Sequence, residues 1–300
     1  MSIDLERYSA GAFKVCRKNL REPVAVLKQR LEHEKAVLTS IHASGKVWGI
    51  QDKPYESMEL CVQSRKTDQQ KTRVGVLHPF YEGNYIQHSG QRTPTVSQEE
   101  YIRFHQVISA ISYLHQHDIL SGDIKSDNVL LRGELAHLTD FSTCATDQTP
   151  INHLVAGNAD NTRPVTKRYI CISDFVRSSA YAADNNREAV VAVEKARDMF
   201  ALGVLLYTRI TGVYPYRLSD GVPTGQYREI TGVQVSDELK DLIRRLCRFK
   251  YEERPTALET FQDFDAYLKE REPAVYQRIQ ELKMNLGYQR TLPFLDTPTS

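Results

Sequence analysis

The chain has 300 residues, 41% of them hydrophobic, with 39 lysines and arginines against 38 aspartates and glutamates for a formal net charge of +1. That length buries a substantial core and suits one two-lobed domain or two small ones. The balanced charge argues against a protein that holds nucleic acid or an anionic membrane with its whole surface.

Five cysteines, at 16, 61, 144, 171 and 247, include no Cys-x-x-Cys pair and read as reduced thiols of a cytoplasmic protein. No apolar run reaches the roughly 18 residues of a membrane span, and the first residues lack an apolar signal core.

In chain order, Ala12-Phe13-Lys14-Val15-Cys16 reads as a short strand. Pro23 suits a first helical turn. Val24, Leu27, Leu31, Leu38 and Ile41 then recur at helical steps, with a seven-residue interval spanning Glu34. Residues 23–42 are therefore expected as a helix that carries Lys28. Residues 47–50, 58–64 and 72–77 read as three strands, the last two joined by a polar turn. Together these segments would form a small, mostly antiparallel sheet with one helix. Ser97 is expected to cap a long helix, with Glu99 and Glu100 in its first turn and Tyr101, Phe104, Val107, Ile108, Ile111 and Leu114 on its apolar face.

Residues 121–142 carry the chemistry. Asp123, Lys125 and Asn128 fall in one loop, and Asp140 follows a second. Between the loops, Val129-Leu130-Leu131 and residues 135–138 read as a β-ribbon turning at Arg132-Gly133-Glu134. Such a ribbon brings Asp123, Asn128 and Asp140 to one of its ends. Two oxygen ligands beside a third carboxylate suit magnesium-dependent phosphoryl transfer, because Mg²⁺ takes hard oxygen donors and the attacking hydroxyl needs an acceptor.

Residues 143–179 are polar and hold Thr143, Thr146, Thr149, Thr162, Thr166, Ser178 and Ser179, all eligible for phosphorylation. Residues 196–207 read as an apolar helix opening near Asp198, followed by Thr211-Gly212-Val213-Tyr214-Pro215-Tyr216. Ser236 is expected to cap an amphipathic helix containing Leu239, Leu242, Ile243 and Leu246. Residues 274–289 suggest an extra helix, and residues 291–300 a loose tail.

Asp123-Ile124-Lys125-Ser126-Asp127-Asn128 and Asp140-Phe141-Ser142 resemble the catalytic and metal-binding loops of the protein kinase superfamily. The resemblance extends to the helix beginning near Asp198 and to Glu253-Arg254-Pro255-Thr256. It implies an α+β, two-lobed fold: a truncated small lobe and hinge over residues 1–81, and a helical large lobe over 82–289. It also implies roles. Asp123 would be the catalytic aspartate that orients the acceptor hydroxyl and Lys125 would neutralise charge on the transferred phosphoryl, with Asn128 and Asp140 on Mg²⁺. The strand lysine of the family contacts the phosphates of ATP. Lys14 fits that place, paired with Glu34 twenty residues on, whereas Lys28 is only six residues from Glu34. Residues 77–83 resemble the hinge between lobes, with His78 behind the adenine pocket and the backbone of Pro79 and Tyr81 meeting the adenine edge. Asp198 would accept backbone N–H bonds from the catalytic loop. Tyr181-Ala182-Ala183-Asp184 resembles the end of the activation segment, which makes Asp184 the expected partner of Arg254.

The departures from the pattern matter. The family's His-Arg is Ser121-Gly122 here, the Gly after Asp-Phe is Ser142, and the 13 residues before Lys14 leave no room for a glycine-rich loop. Without the Arg, a phosphate on the activation segment lacks its usual cationic receptor. The leading reading is an ATP- and Mg²⁺-dependent serine/threonine protein kinase, with a protein substrate and no nucleic acid or membrane span. The Lys after the catalytic Asp points to Ser/Thr acceptors. In its compactness it is similar to effector kinases that bacteria deliver into a host cytoplasm and that a host protein activates, which leaves room for an activating protein partner. A pseudokinase scaffold and a small-molecule phosphotransferase are the alternatives; the second rests on Gly122-Asp123, which is similar to the His-Gly-Asp of antibiotic and choline kinases.

Overall fold

Pairing of backbone groups and burial of apolar stripes sort the chain into two layers of unequal size. The structure is a computed structural model that describes the backbone of residues 11–15, 24–43, 45–52, 56–63, 70–79, 81–85, 95–155 and 166–288. Side chains are described from residue 29 onward, except 44, 53–80, 86–94, 156–165 and 289–300. The side chains of Lys14, Lys28, His78 and Pro79, the whole of Phe80 and Thr162, and the tail 291–300 lie outside the described residues.

The first part holds strand β1 (Gly11–Val15), helix α1 (Val24–Ile41), and strands β2 (Glu56–Gln63) and β3 (Gln70–Pro79). The sheet is antiparallel in the order β1-β3-β2, with Lys14 opposite Val76. Lys28 lies on α1, as the helical periodicity requires. The expected strand at 47–50 does not form. Isolated bridges flank the segment instead, Lys46 to Tyr288 before it and Ile50 to Leu138 at its end, around a turn at Gly49 (φ +80°). The run is apolar because it plugs into the large lobe: Trp48 is fully buried and its Nε1 donates to Nδ1 of His105 at 3.0 Å.

The second part begins with β4 (Gly83–Asn84) and helix α2 (Gln98–Gln116). The Ser97 hydroxyl accepts the Glu100 N–H at 3.2 Å and caps α2. Strands β5 (Val129–Arg132) and β6 (Leu135–Leu138) form the expected ribbon, turning at Gly133 (φ +57°), and β4 pairs with β5. Then come helices α3 (Ile151–Leu154), α4 (Ile172–Ala183) and α5 (Arg187–Thr211), a hairpin of β7 (Arg217–Ser219) and β8 (Val222–Thr224), and helices α6 (Asp237–Leu246), α7 (Ala257–Arg271) and α8 (Pro273–Asn285). Helix α5 starts at the Asn186 cap, so Asp198 sits mid-helix rather than at the start. The main core wraps α2 and α5 with residues of α6, α7 and α8. A smaller cluster of Leu120, Ala145, Leu154, Val155 and Val190 fastens the segment that follows Asp140. The result is an α+β, two-lobed fold of the protein kinase kind.

Candidate active site

The site forms where α2 runs out onto the β5–β6 ribbon. Leu120 and Ala145 exchange both backbone hydrogen bonds, at 2.8 and 3.0 Å, so the loop at 121–128 lies beside the turn that follows Asp140. Beneath them the buried Asp198 of α5 accepts the N–H groups of Ser121 (2.8 Å) and Gly122 (2.9 Å) and faces Nε2 of His115 at 3.1 Å. Burial pushes the Asp198 carboxyl up, but His115 and the two N–H bonds outweigh it and hold the group below its ordinary range. Gly122 adopts φ +79°, a left-handed conformation that strains any residue with a Cβ. Its presence in place of Arg thus matches the backbone of the loop.

The Asp123 carboxylate is gripped from three sides. Lys125 Nζ pairs with Oδ2, Asn128 Nδ2 donates to Oδ2 at 3.2 Å, and the Thr166 hydroxyl donates to Oδ1 at 2.9 Å. Lys125 Nζ also donates to Thr166 Oγ1 at 3.1 Å, and Asn128 Nδ2 to the Asp123 carbonyl at 2.8 Å. Asp123 and Lys125 keep 12% and 19% of their side-chain surface open, enough to meet a ligand. The Thr139 N–H bonds the Asn128 carbonyl at 2.9 Å, which sets Asp140 next to this cluster. Asp140 itself is left-handed (φ +65°) and begins a tight turn over Phe141–Thr143. The Ser142 hydroxyl donates to Asp140 Oδ1 at 2.8 Å.

Helix α1 packs on that turn, and His33 Nε2 lies 3.0 Å from the Cys144 carbonyl. Glu34, on the same helix, is 2% exposed. Its expected pairing with Lys14 lies outside the described side chains. Tyr81 turns its ring onto His137 (centroids 5.4 Å apart) and receives the Asp52 N–H on its hydroxyl at 3.4 Å. Its side chain thus packs on the large lobe. Pro79 ends β3.

Two site features were not read from the sequence. Thr166 counted only as one of seven eligible hydroxyls, yet it bridges Asp123 and Lys125. Arg254 pairs with Asp174, not Asp184. Its Nη1 and Nη2 reach the two Asp174 oxygens at 2.6 and 3.2 Å, while Asp184 is the exposed C-cap of α4. The buried end of α4 is its first turn, because Arg254 is rooted under it by bonds to the carbonyls of Ala196, Arg248 and Phe249. A count from Asp174 places Thr166 eight residues upstream, next to the catalytic loop.

The sequence profile of the protein kinase domain matches residues 14–264. The chain is 30% identical to serine/threonine-protein kinase PSK2 of Saccharomyces cerevisiae over 169 residues, 56% of this chain and 14% of that protein. It is 24% identical to human serine/threonine-protein kinase 40 over 264 residues, 80% of this chain and 57% of that protein. Mouse Tribbles homolog 1 is 30% identical over 161 residues, 51% of this chain and 39% of that protein. These matches thus take in between one seventh and three fifths of each relative's length. The Rad53 kinase domain superposes with a TM-score of 0.55 at 18% identity, over 84% of this chain and 80% of that one, a likeness of fold. A profile that runs unbroken from β1 into α7 covers the sheet, the Asp123 loop, Asp140 and Arg254 together, and the chain belongs to the protein kinase family.

Proposed function

We propose that the chain transfers the γ-phosphoryl group of ATP, with Mg²⁺, to serine or threonine hydroxyls of a protein substrate. The observation that carries this reading is the hydroxyl already seated on Asp123: Thr166 Oγ1 donates to the carboxylate while Lys125 donates to the same oxygen. A substrate hydroxyl brought up beside Thr166 would likewise have its proton directed at Asp123. The ammonium of Lys125 would lie beside the phosphoryl oxygens as their charge builds.

Asn128 and Asp140 would hold the metal. The donor set fits: Asn128 turns its amide N–H₂ to Asp123, so its amide oxygen is not spent on that carboxylate, and the Thr139 N–H bond to the Asn128 carbonyl ties the residue before Asp140 to this loop. One carboxylate and one amide oxygen form a hard-donor pair of the sort that shares Mg²⁺ with phosphates and water. Bound there, the ion would neutralise phosphate charge. Lys14, held by Glu34, is assigned to the phosphates, and the backbone of Pro79 and Tyr81 to the adenine edge, at a lobe boundary near residue 81. Full activity is assigned to a complex with an activating protein partner in a cytoplasm, on the likeness to compact effector kinases.

A second reading, a binding scaffold without transfer, is favoured by one contact. Ser142, where kinases carry Gly, donates to Asp140 Oδ1 and so competes with a metal for that oxygen. One experiment separates the two. Purified chain is incubated with labelled ATP, Mg²⁺ and either a generic basic protein or a panel of small alcohols, beside Asp123→Asn and Asp140→Asn. Label on protein, lost in both variants, supports the kinase. ATP binding without transfer, even after Ser142→Gly, supports the scaffold, and label only on alcohols overturns the protein substrate.

A further inference from the structure

The residues that follow Thr166 are cationic and exposed. Thr166 touches both Asp123 and Lys125, and the next two residues, Lys167 and Arg168, begin a tight turn with their side chains in solvent. Consecutive Cα atoms are about 3.8 Å apart, so these two residues begin within roughly 8 Å of the residue that marks the acceptor position. A peptide that brings a hydroxyl to Asp123 therefore carries its flanking residues close to both.

The surface is also fixed in place. Tyr169, buried, sets its hydroxyl 3.1 Å from Ser126 Oγ in the catalytic loop and packs edge-on against Tyr214. Arg168 lies over the Tyr214 ring, its guanidinium 5.9 Å from the centroid. The Lys167 stem runs along the hairpin turn: a Cβ built on Gly221 would meet its Cβ and Cδ at 3.7 and 3.8 Å. Exposed Arg217 adds a third cation from that hairpin. Among the described residues, none of the three has an ion-pair partner. The nearby acids, Asp220 in the hairpin turn and Asp127 in the catalytic loop, are exposed and pair with none of them.

We infer that Lys167 and Arg168, with support from Arg217, select protein substrates that carry aspartate or glutamate within three residues of the acceptor hydroxyl. Three extended residues reach about 10 Å, comparable to the Debye length of about 8 Å at physiological salt, so carboxylates that close are attracted without a fixed bond. The inference rests on the kinase reading and names the substrate class for that site.

The test uses the full chain, with its activating protein if one is required, and four peptides. These share one serine and differ in flanking residues: neutral, three glutamates before, three glutamates after, and three lysines. At least one glutamate peptide is expected to exceed the neutral one about tenfold in kcat/KM, and the lysine peptide to fall below it. In Lys167→Glu/Arg168→Glu, checked for an unchanged melting temperature, the order of glutamate and lysine peptides is expected to reverse. Transfer with no acidic preference, or an order untouched by the double substitution, overturns the inference while leaving the kinase reading intact. Absence of transfer to every peptide counts against the kinase reading instead. Anisotropy of a labelled glutamate peptide then decides the docking surface: about tenfold weaker binding to the double variant upholds it, and equal binding overturns it.

Discussion

Arg254 closes on Asp174 with two hydrogen bonds, and neither side chain has more than 1% of its surface exposed. The guanidinium has further carbonyl acceptors in Ala196, Arg248 and Phe249 and lies 4.9 Å over the Phe200 ring. It thereby ties the start of α4 to the core helix α5 and to the approach to α7. Removal of one member of such a pair strands a buried charge and costs about 3–5 kcal/mol. Arg254→Ala and Asp174→Ala are each expected to lower the melting temperature by about ten degrees. The double variant should lose clearly less than the sum, while Asp184→Ala, on an exposed cap, should stay within about 0.5 kcal/mol. Additive losses at 174 and 254 in thermal melts would show that the pair is not coupled.

How much of this was legible in the sequence follows from what each signal encodes. Helix α1 was legible because burial of one stripe imposes a 3.6-residue period, and among the described residues Leu31, Glu34, Val37, Leu38 and Ile41 are the buried positions. The ribbon was legible because turn chemistry is local, and the Asp123–Asn128 cluster because its members lie within six positions of one another. Residues 47–50 misled because a short apolar run reports burial and not backbone pairing; Trp48 is buried against α2, a contact 57 residues away. The Arg254 partner misled for a related reason. A salt bridge over 80 residues is fixed by which end of α4 is buried, and no local pattern in Tyr181-Ala182-Ala183-Asp184 records that.

Gly49 gives that docking a test. A Cβ built on it would fall 2.0 Å from the Gln106 carbonyl oxygen, and its φ of +80° is already unfavourable to other residues. Backbone on both sides of the contact cannot yield cheaply, since Leu138 N–H bonds the Gly49 carbonyl at 2.7 Å. Gly49→Ala is expected to cost more than about 4 kcal/mol, in the exceptional range for one substitution. Gly133→Ala is the control: its φ is +57° but nothing lies within 4 Å, so only the left-handed strain of about 1–2 kcal/mol applies. Chemical denaturation of the two variants should separate them clearly, and equal losses would count against the close approach to α2.

Acid should weaken the fold through two buried histidines. Burial lowers His105 to about 4 and His137 to about 3, aided by Lys283 at the first and by Arg132 and Lys46 at the second, against Asp265 and Asp52. Both are neutral in the fold, whereas the unfolded chain protonates them near pH 6.5. Their stabilising contribution is therefore complete above about pH 6.5 and is lost as the pH falls towards 4. At pH 5 the loss is about 2 kcal/mol for each histidine. Among the described residues His137 Nδ1 has no hydrogen-bond partner, so an added proton there gains nothing. His137→Phe should lower stability slightly at pH 7, through loss of the Tyr288 hydroxyl contact at 3.2 Å. It should also shrink the drop in melting temperature between pH 7 and pH 5. An unchanged drop would remove His137 from the account.

Thr166 is expected to set turnover more than binding. Its hydroxyl donates to Asp123 Oδ1 at 2.9 Å and accepts from Lys125 Nζ at 3.1 Å, so it holds the two proposed catalytic side chains at a fixed spacing. Its methyl group takes no part in either bond, which makes the hydroxyl separable from the residue's bulk. Thr166→Val keeps the shape and deletes the hydroxyl. It leaves one carboxylate lone pair and one ammonium proton to find water instead, a loss of about 1–3 kcal/mol of positioning. Expressed in the transition state, that lowers kcat by about 5- to 150-fold. The ATP KM should stay within a factor of two, because nucleotide contacts are assigned to other residues. Thr166→Ser restores the hydroxyl and is expected to recover most of the rate. A valine variant with unchanged kcat, or a serine variant as slow as valine, would show that the bridge is incidental to transfer. Phosphorylation of Thr166 would place a dianion against the Asp123 carboxylate. Thr166→Glu is therefore expected to be no faster than the valine variant, which separates this threonine from the hydroxyls of the preceding segment.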